Sequence, residues 1–471
     1  MNKAACNIGM AGIDGNGSGL AMNIAGHGYT VAAYDANDTA LSALRSEMDG
    51  RAIETVNNLS GFVRLLSVPR IVMILAPSGP PVDRLIKQLA PLLNSGDVII
   101  DAGNAYFKDT DRRGKILGAH GIELLGVGIS GGERSVRQGA AIMAGGPSSA
   151  YDLVGHVLIR IAAKVNGEPC VAYLGPRSAG HYVSMVHSAV AQGLTQLIAE
   201  TYDVMSRGLG MNDAAIQEVY GRWQGSEAAS DLLGILSSRL RDNEGDIGAN
   251  LFNLIVEETD PGENARWATL EARDLDQSNP TIDIAVAMRS LSSIEEGLAV
   301  LRRMLGRRPI HYVGKSDVLN DRLKRALLIG MIGTFAQGLA LLKAASDTYR
   351  FDLSIETVAR IWRGSVLRSP MLQHICDALH VQPHMLNPML DSQFEHQMSS
   401  RVSDLLAVLR LAAGLGIPTP ALTASLAYYA SNQRPDPNAK EDSRAASPVF
   451  FGGHEAAQFK HEILRSRRSI V

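Results

Sequence analysis

Two patterns of apolar residues divide the chain. From about residue 5 to 178, short apolar runs alternate with stretches of helical periodicity. The runs include Val31-Ala32-Ala33-Tyr34, Ile71-Val72-Met73-Ile74-Leu75, Val98-Ile99-Ile100 and Ile122-Glu123-Leu124-Leu125, and Gly, Asp or Pro ends them. Strands buried on both faces read as such continuous runs, which predicts a mostly parallel sheet with helices on each side. Beyond Gly180 the strand signal stops. Val183, Val186, Val190, Leu194 and Leu197 recur at spacings of three and four, marking a long helix with one buried face. That character continues to about 433. The fold class expected is α/β followed by all-α, with domains over 1–178 and 179–433 and an extended tail over 434–471.

A weak internal repeat runs through the helical part. Ala191-Gln192-Gly193-Leu194 recurs as Ala336-Gln337-Gly338-Leu339, and Trp223-Gln224-Gly225-Ser226 recurs as Trp362-Arg363-Gly364-Ser365. The order is conserved, so a duplicated helical unit is expected. The longest apolar stretch, Ala326 to Leu342, falls short of the roughly 20 residues that span a bilayer and reads as a buried core helix. Asn432 to Ser447 reads as an extended arm, and Phe450-Phe451-Gly452-Gly453-His454 needs a surface to dock on.

Composition narrows the function. Net charge is −3, so no global positive field calls for nucleic acid or an anionic membrane. The three cysteines, Cys6, Cys170 and Cys376, are too scattered for a disulfide framework or a CxxC metal site, and no metal is expected. With no signal-peptide layout, a cytoplasmic location is expected.

The chain opens with a strand, a glycine-rich turn and a helix. In Gly12-Ile13-Asp14-Gly15-Asn16-Gly17, Gly12 and Gly17 fit the outer positions of the dinucleotide fingerprint G-x-G-x-x-G. The middle position is Asp14, which puts bulk and like charge where a diphosphate approaches the helix N-terminus. Asp35 ends the second strand, where an acid binds the ribose 2′-hydroxyl of NAD, and Ala36-Asn37-Asp38 offers no arginine to a 2′-phosphate. A Rossmann-type domain is expected, with NAD more favoured than NADP as cofactor.

Ile99-Ile100-Asp101-Ala102-Gly103-Asn104 and Gly128-Ile129-Ser130-Gly131-Gly132-Glu133 resemble 6-phosphogluconate dehydrogenases. So do Gly145-Gly146, Gly180-His181-Tyr182-Val183, Met185-Val186-His187, Ala336-Gln337-Gly338 and Phe451-Gly452-Gly453-His454. The resemblance covers nearly the whole chain. It implies a homodimer whose tail threads into the partner subunit, and a phosphorylated small-molecule substrate. Family members oxidise 6-phosphogluconate with NADP or NAD and decarboxylate it to ribulose 5-phosphate. They use a lysine as base, an asparagine to hold substrate and a glutamate as proton donor, at i, i+4 and i+7 on one helix face.

At those three positions this chain has Ser184, Ser188 and Ala191. None is ionisable near neutral pH, and a positioned acid or base contributes about 10²–10⁴-fold. The resemblance assigns Asn104, Ser130, Gly131 and Gly132 to substrate and nicotinamide contacts. His187 matches a family histidine, read either as titrating near neutrality or as orienting the helix. Arg289 matches a phosphate-binding arginine, Arg266 replaces a phosphate-binding lysine, and His454 matches the tail histidine that reaches the neighbouring subunit. Pro448 stands where an arginine ligand is expected, Arg444 is out of register, and Gln192 replaces a tyrosine ligand. Around Ala76-Pro77-Ser78-Gly79 the family's Lys-Ala-Gly loop is lost.

Three functions follow. The first is a repurposed NAD(P)-linked oxidoreductase not competent for normal oxidative decarboxylation. Imine reductases, related to the family, likewise lack the lysine and still move hydride. The second is a non-catalytic dimer that binds a ligand or acts as a scaffold. The third is an authentic 6-phosphogluconate dehydrogenase with displaced catalytic groups. Ser184→Lys with Ala191→Glu is expected to stay folded, both side chains pointing into a polar cleft.

Overall fold

The computed structural model describes residues 5–131, 133–242, 263–292, 312, 314–383 and 391–432. The apolar runs form an eight-stranded sheet. Its strands are β1 (Ile8–Ala11), β2 (Val31–Tyr34), β3 (Ile53–Val56), β4 (Ile71–Ile74), β5 (Val98–Asp101), β6 (Glu123–Ser130), β7 (Ala141–Gly145) and β8 (Val171–Tyr173). Their spatial order is β8-β7-β6-β5-β4-β1-β2-β3, parallel throughout except for the antiparallel β6–β7 pair. The order 3-2-1-4-5-6 within it is that of the doubly wound nucleotide fold, which opens a crevice where the order reverses between β1 and β4. Helices α1 (Asn16–Gly26), α2 (Asp38–Glu47), α3 (Leu59–Arg64), α4 (Pro80–Leu89), α5 (Phe107–Gly118), α6 (Glu133–Gln138) and α7 (Ser148–Ile161) connect the strands. The central strands are buried on both faces, which is why they read as unbroken apolar runs.

From Ala179 onward the described chain is helical. The elements are α8 (Ala179–Asp203), α9 (Asp213–Gln224), α10 (Asp231–Asp242), α11 (Glu263–Asp274), α12 (Pro280–Ser292) and α13 (Ser316–Tyr349). They continue as α14 (Ile355–Trp362), α15 (Pro370–Val381), α16 (Ser392–Ser399), α17 (Val402–Leu415) and α18 (Pro420–Asn432). The repeat has a structural counterpart. α8 and α13 are long helices that cross each other, with Gly193 against Thr334 and Gly338 against Val190. Each is followed by a shorter helix ending in Trp-x-Gly-Ser. Ser226 Oγ donates to Trp223 O and Ser365 Oγ donates to Trp362 O, both at 2.7 Å. The sequence motif thus marks one recurring turn chemistry at two places.

α13 has the length and hydropathy of a membrane span, but 89% of its most apolar window is buried inside the molecule. At its far side, Glu200 on α8 accepts the backbone N–H groups of Ala421 at 2.7 Å and Leu422 at 2.9 Å, tying down the first turn of α18. Burial pushes Glu200 up to about 7, although these bonds and one from Gln196 favour the carboxylate.

The two parts of the molecule meet without a gap. α8 lies directly on β6 and β7, where Gly126, Gly128 and Gly145 present no side chain. A polar cluster adds a second junction. Glu271 on α11 is buried and takes Lys108 Nζ at 2.6 Å, Tyr349 OH at 2.7 Å and Tyr106 OH at 3.3 Å. Burial alone would lower Lys108, but Glu271 and Tyr106 beside it hold it above its ordinary value.

Candidate active site

At the carboxyl ends of the strands three loops lie side by side. A Cβ on Gly12 would strike Leu75 O, one on Gly17 would strike Gly12 O, and one on Gly103 would come within 2.9 Å of Ala76 O. The outer glycines of the fingerprint are therefore required by backbone packing. Asp14 is exposed, and Gly15 at φ 49° begins α1 as its N-cap without a side-chain bond. Gly17 N in the first turn is taken by Asp14 O at 3.0 Å, and no side chain caps the start of α1, which leaves a helix N-terminus of the kind suited to a diphosphate. Asp35 accepts Ile13 N at 3.0 Å and Asn37 N at 2.8 Å, one on each oxygen. Each oxygen keeps a second lone pair for a ribose hydroxyl. These residues fit a dinucleotide, with the Asp14 carboxylate as the one opposing charge.

Buried Arg113 stiffens the neighbouring loop. It donates to Asp83 at 2.8 Å, Asp101 at 3.2 Å and Gly79 O at 3.0 Å, so α4, β5 and α5 are pinned by one guanidinium. Ser78 Oγ, on the same loop, reaches Glu263 of α11 at 2.6 Å across the crevice. Asn104 is half-buried just beyond β5.

Ser184, Ser188 and Ala191 share one face of α8. Ser184 packs against Gly128 of β6. Ala191 is buried in the apolar core of the helical part. Both small side chains are buried, Ser184 against β6 and Ala191 among the helices. Ser188 is half-exposed, whereas every other residue from Ala179 to Ile198 is buried, so the cleft reaches α8 there. Asn264 of α11 donates to Ser188 Oγ at 3.4 Å. Gln192, one turn further on, donates to Ala285 O at 3.4 Å.

His187 sits between two serines. Its Nε2 lies 3.2 Å from Ser130 Oγ at the end of β6 and 2.9 Å from Ser365 Oγ, and its ring meets Trp362 edge to face. Ser365 already commits its hydrogen to Trp362 O, so the network assigns the hydrogen between Ser365 and His187 to Nε2. Burial pushes His187 down to about 3. Burial thus argues against this imidazole titrating near neutrality: it is a neutral donor to Ser365, with Ser130 Oγ close beside the same nitrogen.

Arg266 is exposed on α11, and Arg289 is half-exposed near the end of α12. Gly131 has φ 137° just after Ser130. Gly132, His454, Arg444, Pro448 and the whole 434–471 tail lie outside the described residues. Among the described residues no group of three or more His, Cys, Asp or Glu is placed to hold a metal ion.

The structure thus joins Ser130 to His187 and sets Ser184 beside β6. Sequence reasoning missed Ser365, Asn264 and the Ser78–Glu263 bridge. The repeat had already singled out Ser365, but only as part of a turn. Asn264 had no signal beyond lying two residues before Arg266.

With this geometry in place, comparison with known proteins decides the family. The model described as the NAD binding domain of 6-phosphogluconate dehydrogenase matches residues 7–175, and that of the 6-phosphogluconate dehydrogenase C-terminal domain matches 180–463. The chain belongs to the 6-phosphogluconate dehydrogenase family. The decarboxylating 6-phosphogluconate dehydrogenase of Lactococcus lactis is 34% identical over 454 residues, covering 96% of each chain. The NADP(+)-dependent decarboxylating enzyme of Bacillus subtilis is 34% identical over 426 residues, covering 90% of this chain and 91% of that one. The 6-phosphogluconate dehydrogenase structure from Plasmodium falciparum superposes with a TM-score of 0.84 at 29% identity, covering 92% and 93% of the two chains. A nicotinamide-cofactor oxidoreductase of this family follows directly.

Proposed function

We propose that the protein is a family oxidoreductase that transfers hydride with NAD in preference to NADP and is not equipped for oxidative decarboxylation of 6-phosphogluconate. The observation that carries this reading is the α8 face. Ser184, Ser188 and Ala191 offer no base and no acid, and the adjacent imidazole of His187 is held neutral with its Nε2 hydrogen committed. A serine hydroxyl is a poor base near neutral pH without an activator.

A bound nicotinamide supplies the hydride acceptor or donor. Gly12, Gly17 and the N-terminus of α1 would hold its diphosphate and Asp35 its ribose, and Ser130, beside His187, would border the reacting groups. A protonated imine suits such a site. It would bring its own proton, so the site would need no protein acid. The B. subtilis relative is named NADP(+)-dependent. In this chain, however, Asp35 followed by Ala36-Asn37-Asp38 gives a 2′-phosphate no cation and places a carboxylate beside it. Arg266 and Arg289 serve an anionic end of the ligand. The same reading makes the protein a cytoplasmic homodimer, with His454 in the tail directed at the partner subunit.

The test is a side-by-side assay with the L. lactis enzyme, following reduced cofactor and carbon dioxide from 6-phosphogluconate. The reading expects at least about a 10⁴-fold deficit, because two positioned groups are missing. Turnover comparable to the relative would overturn it and restore the authentic dehydrogenase. A second reading, a non-catalytic dimer binding a phosphorylated ligand, is favoured by the exposed Asp14 carboxylate in the diphosphate turn. It expects binding of 6-phosphogluconate and none of NADH.

A further inference from the structure

The two Trp-x-Gly-Ser turns of the repeat close on one another, and their seam holds a cavity. The repeat runs further than its four-residue motif. Seven residues after each tryptophan, Ser230 and Ser369 cap the next helix, Ser230 Oγ accepting Leu233 N–H at 3.2 Å and Ser369 Oγ accepting Leu372 N–H at 3.3 Å. Asp231 N–H donates to Arg368 O at 3.1 Å and Arg368 Nε donates to Asp231 Oδ1 at 3.0 Å, which ties the two turns together. Between them lies a cavity of about 300 Å³, whose lining includes Gln224, Ser230, Asp231, Arg363, Arg368 and Gln373. Of the described residues, none assigned to the crevice lines it.

The copies differ at the position after the tryptophan. Gln224 uses both ends of its amide on Ser230 of its own turn, donating to the carbonyl at 2.7 Å and accepting the N–H at 3.2 Å. Its counterpart Arg363 is 8% exposed and brings a buried charge to the cavity. Arg363 donates from Nε to Arg360 O, from Nη1 to Gln373 and from Nη2 to Glu168, so each Nη keeps one N–H. Arg368 gives its Nε to Asp231, and among the described residues its Nη groups have no acceptor. Gln373 is engaged at both ends, with Arg363 and Asp377. The surplus in the cavity is therefore guanidinium donors, against one lining carboxylate, Asp231. We propose that this seam is a binding site for a small oxyanion, a phosphate ion or the phosphoryl end of a compact phosphomonoester, held between Arg363 and Arg368. Guanidinium forks match the oxygens of such groups in pairs. The cavity also borders the first turns of α10 and α15, where the helix dipole favours negative charge. Its volume stands at the small end of ligand sites and suits a few heavy atoms, not a dinucleotide. Ser365, on the same turn as both arginines, lies 2.9 Å from His187 Nε2, which sets the site one hydrogen bond from that imidazole.

The experiment titrates the full chain calorimetrically with inorganic phosphate and with glycerol 3-phosphate. The chain carries Arg266→Ala and Arg289→Ala, which removes the cations assigned to the ligand in the crevice. Arg368→Gln and Asp231→Asn are compared in that background. Saturable binding of at least one probe is expected. Arg368→Gln weakens it about tenfold, through loss of a charged donor. Asp231→Asn tightens it about three- to tenfold, because the opposing charge goes and Arg368 is released. Equal or better binding of phosphate assigns the free ion, and tighter binding of glycerol 3-phosphate assigns the ester. An ion pair that only ties the turns gives a different result: both variants melt lower and neither changes anion affinity. That result overturns the site, as does any other ordering of the two variants or no saturable binding of either probe up to millimolar concentration. None of these readouts involves a nicotinamide or turnover, so the outcome is independent of the reaction proposed for the crevice.

Discussion

Asp14 and Asp35 act on opposite ends of the same cofactor. Asp35 is bound by two backbone N–H groups and still has lone pairs for ribose. Asp14 is exposed beside the start of α1 and repels a diphosphate through solvent. Asp14→Ala is therefore expected to tighten NADH binding by about three- to tenfold, in keeping with the modest worth of an exposed charge. Asp35→Asn with Ala36→Arg is expected to shift preference towards NADPH. Fluorescence titration measures both. His187 makes a different prediction. Held at about 3 by burial, it stays neutral across the physiological range. Rate and affinity profiles between pH 5 and 8 therefore contain no histidine step from this residue, and His187→Asn keeps the shape of the profile while lowering its height. A step near pH 6.5 that vanishes in that variant contradicts the assignment. Residue chemistry of this kind was only half legible in sequence. The motif located His187, but its burial and the competing claim of Ser365 on the shared hydrogen depend on elements 178 residues apart.

The strands were legible because burial on both faces leaves no room for polar alternation. Val31–Tyr34 and Ile71–Ile74 stand where the apolar runs placed them, with the second run overshooting by Leu75, whose carbonyl turns to meet Gly12. The long helices were legible from spacing, whereas the repeated Ala-Gln-Gly-Leu announced only a duplicated unit and not the crossing of its two copies. At that crossing Gly338 faces Val190. Gly338→Val removes the helix penalty of glycine but forces a branched side chain into a filled contact. It is expected to destabilise by about 1–3 kcal/mol in urea unfolding. A neutral or stabilising result would mean the helices separate easily. The orientation of α11 was not legible. Its polar positions look like any solvated helix face until Glu263, Asn264 and Glu271 are seen reaching Ser78, Ser188 and Lys108.

Across the molecule, buried Glu271 ties the helical part to the sheet part and buried Glu200 ties α18 to α8, and each gives a distinct signature. Lys108 is 47% exposed and Glu271 fully buried. Without Glu271 the lysine can turn to water, whereas without Lys108 the carboxylate stays buried with only tyrosine hydroxyls. Lys108→Met is therefore expected to destabilise by about 2–3 kcal/mol and Glu271→Gln by less, an ordering that thermal unfolding checks. Glu200 responds to pH. Its folded value of about 7 lies above the unfolded one, so its contribution is full below about pH 4.5, declines as pH rises, and is lost above 7. The stability difference between wild type and Glu200→Gln is expected to change by on the order of 3 kcal/mol across that window. A difference independent of pH would remove Glu200 as the source.

The central claim is that the crevice still takes a nicotinamide dinucleotide, with NAD preferred, while the α8 face has lost its proton chemistry. Calorimetric titration of the purified protein with NADH and NADPH tests it most directly. The account predicts micromolar binding of NADH and at least tenfold weaker binding of NADPH. No binding of either up to millimolar concentration would contradict it and leave a ligand-binding dimer on a dehydrogenase fold.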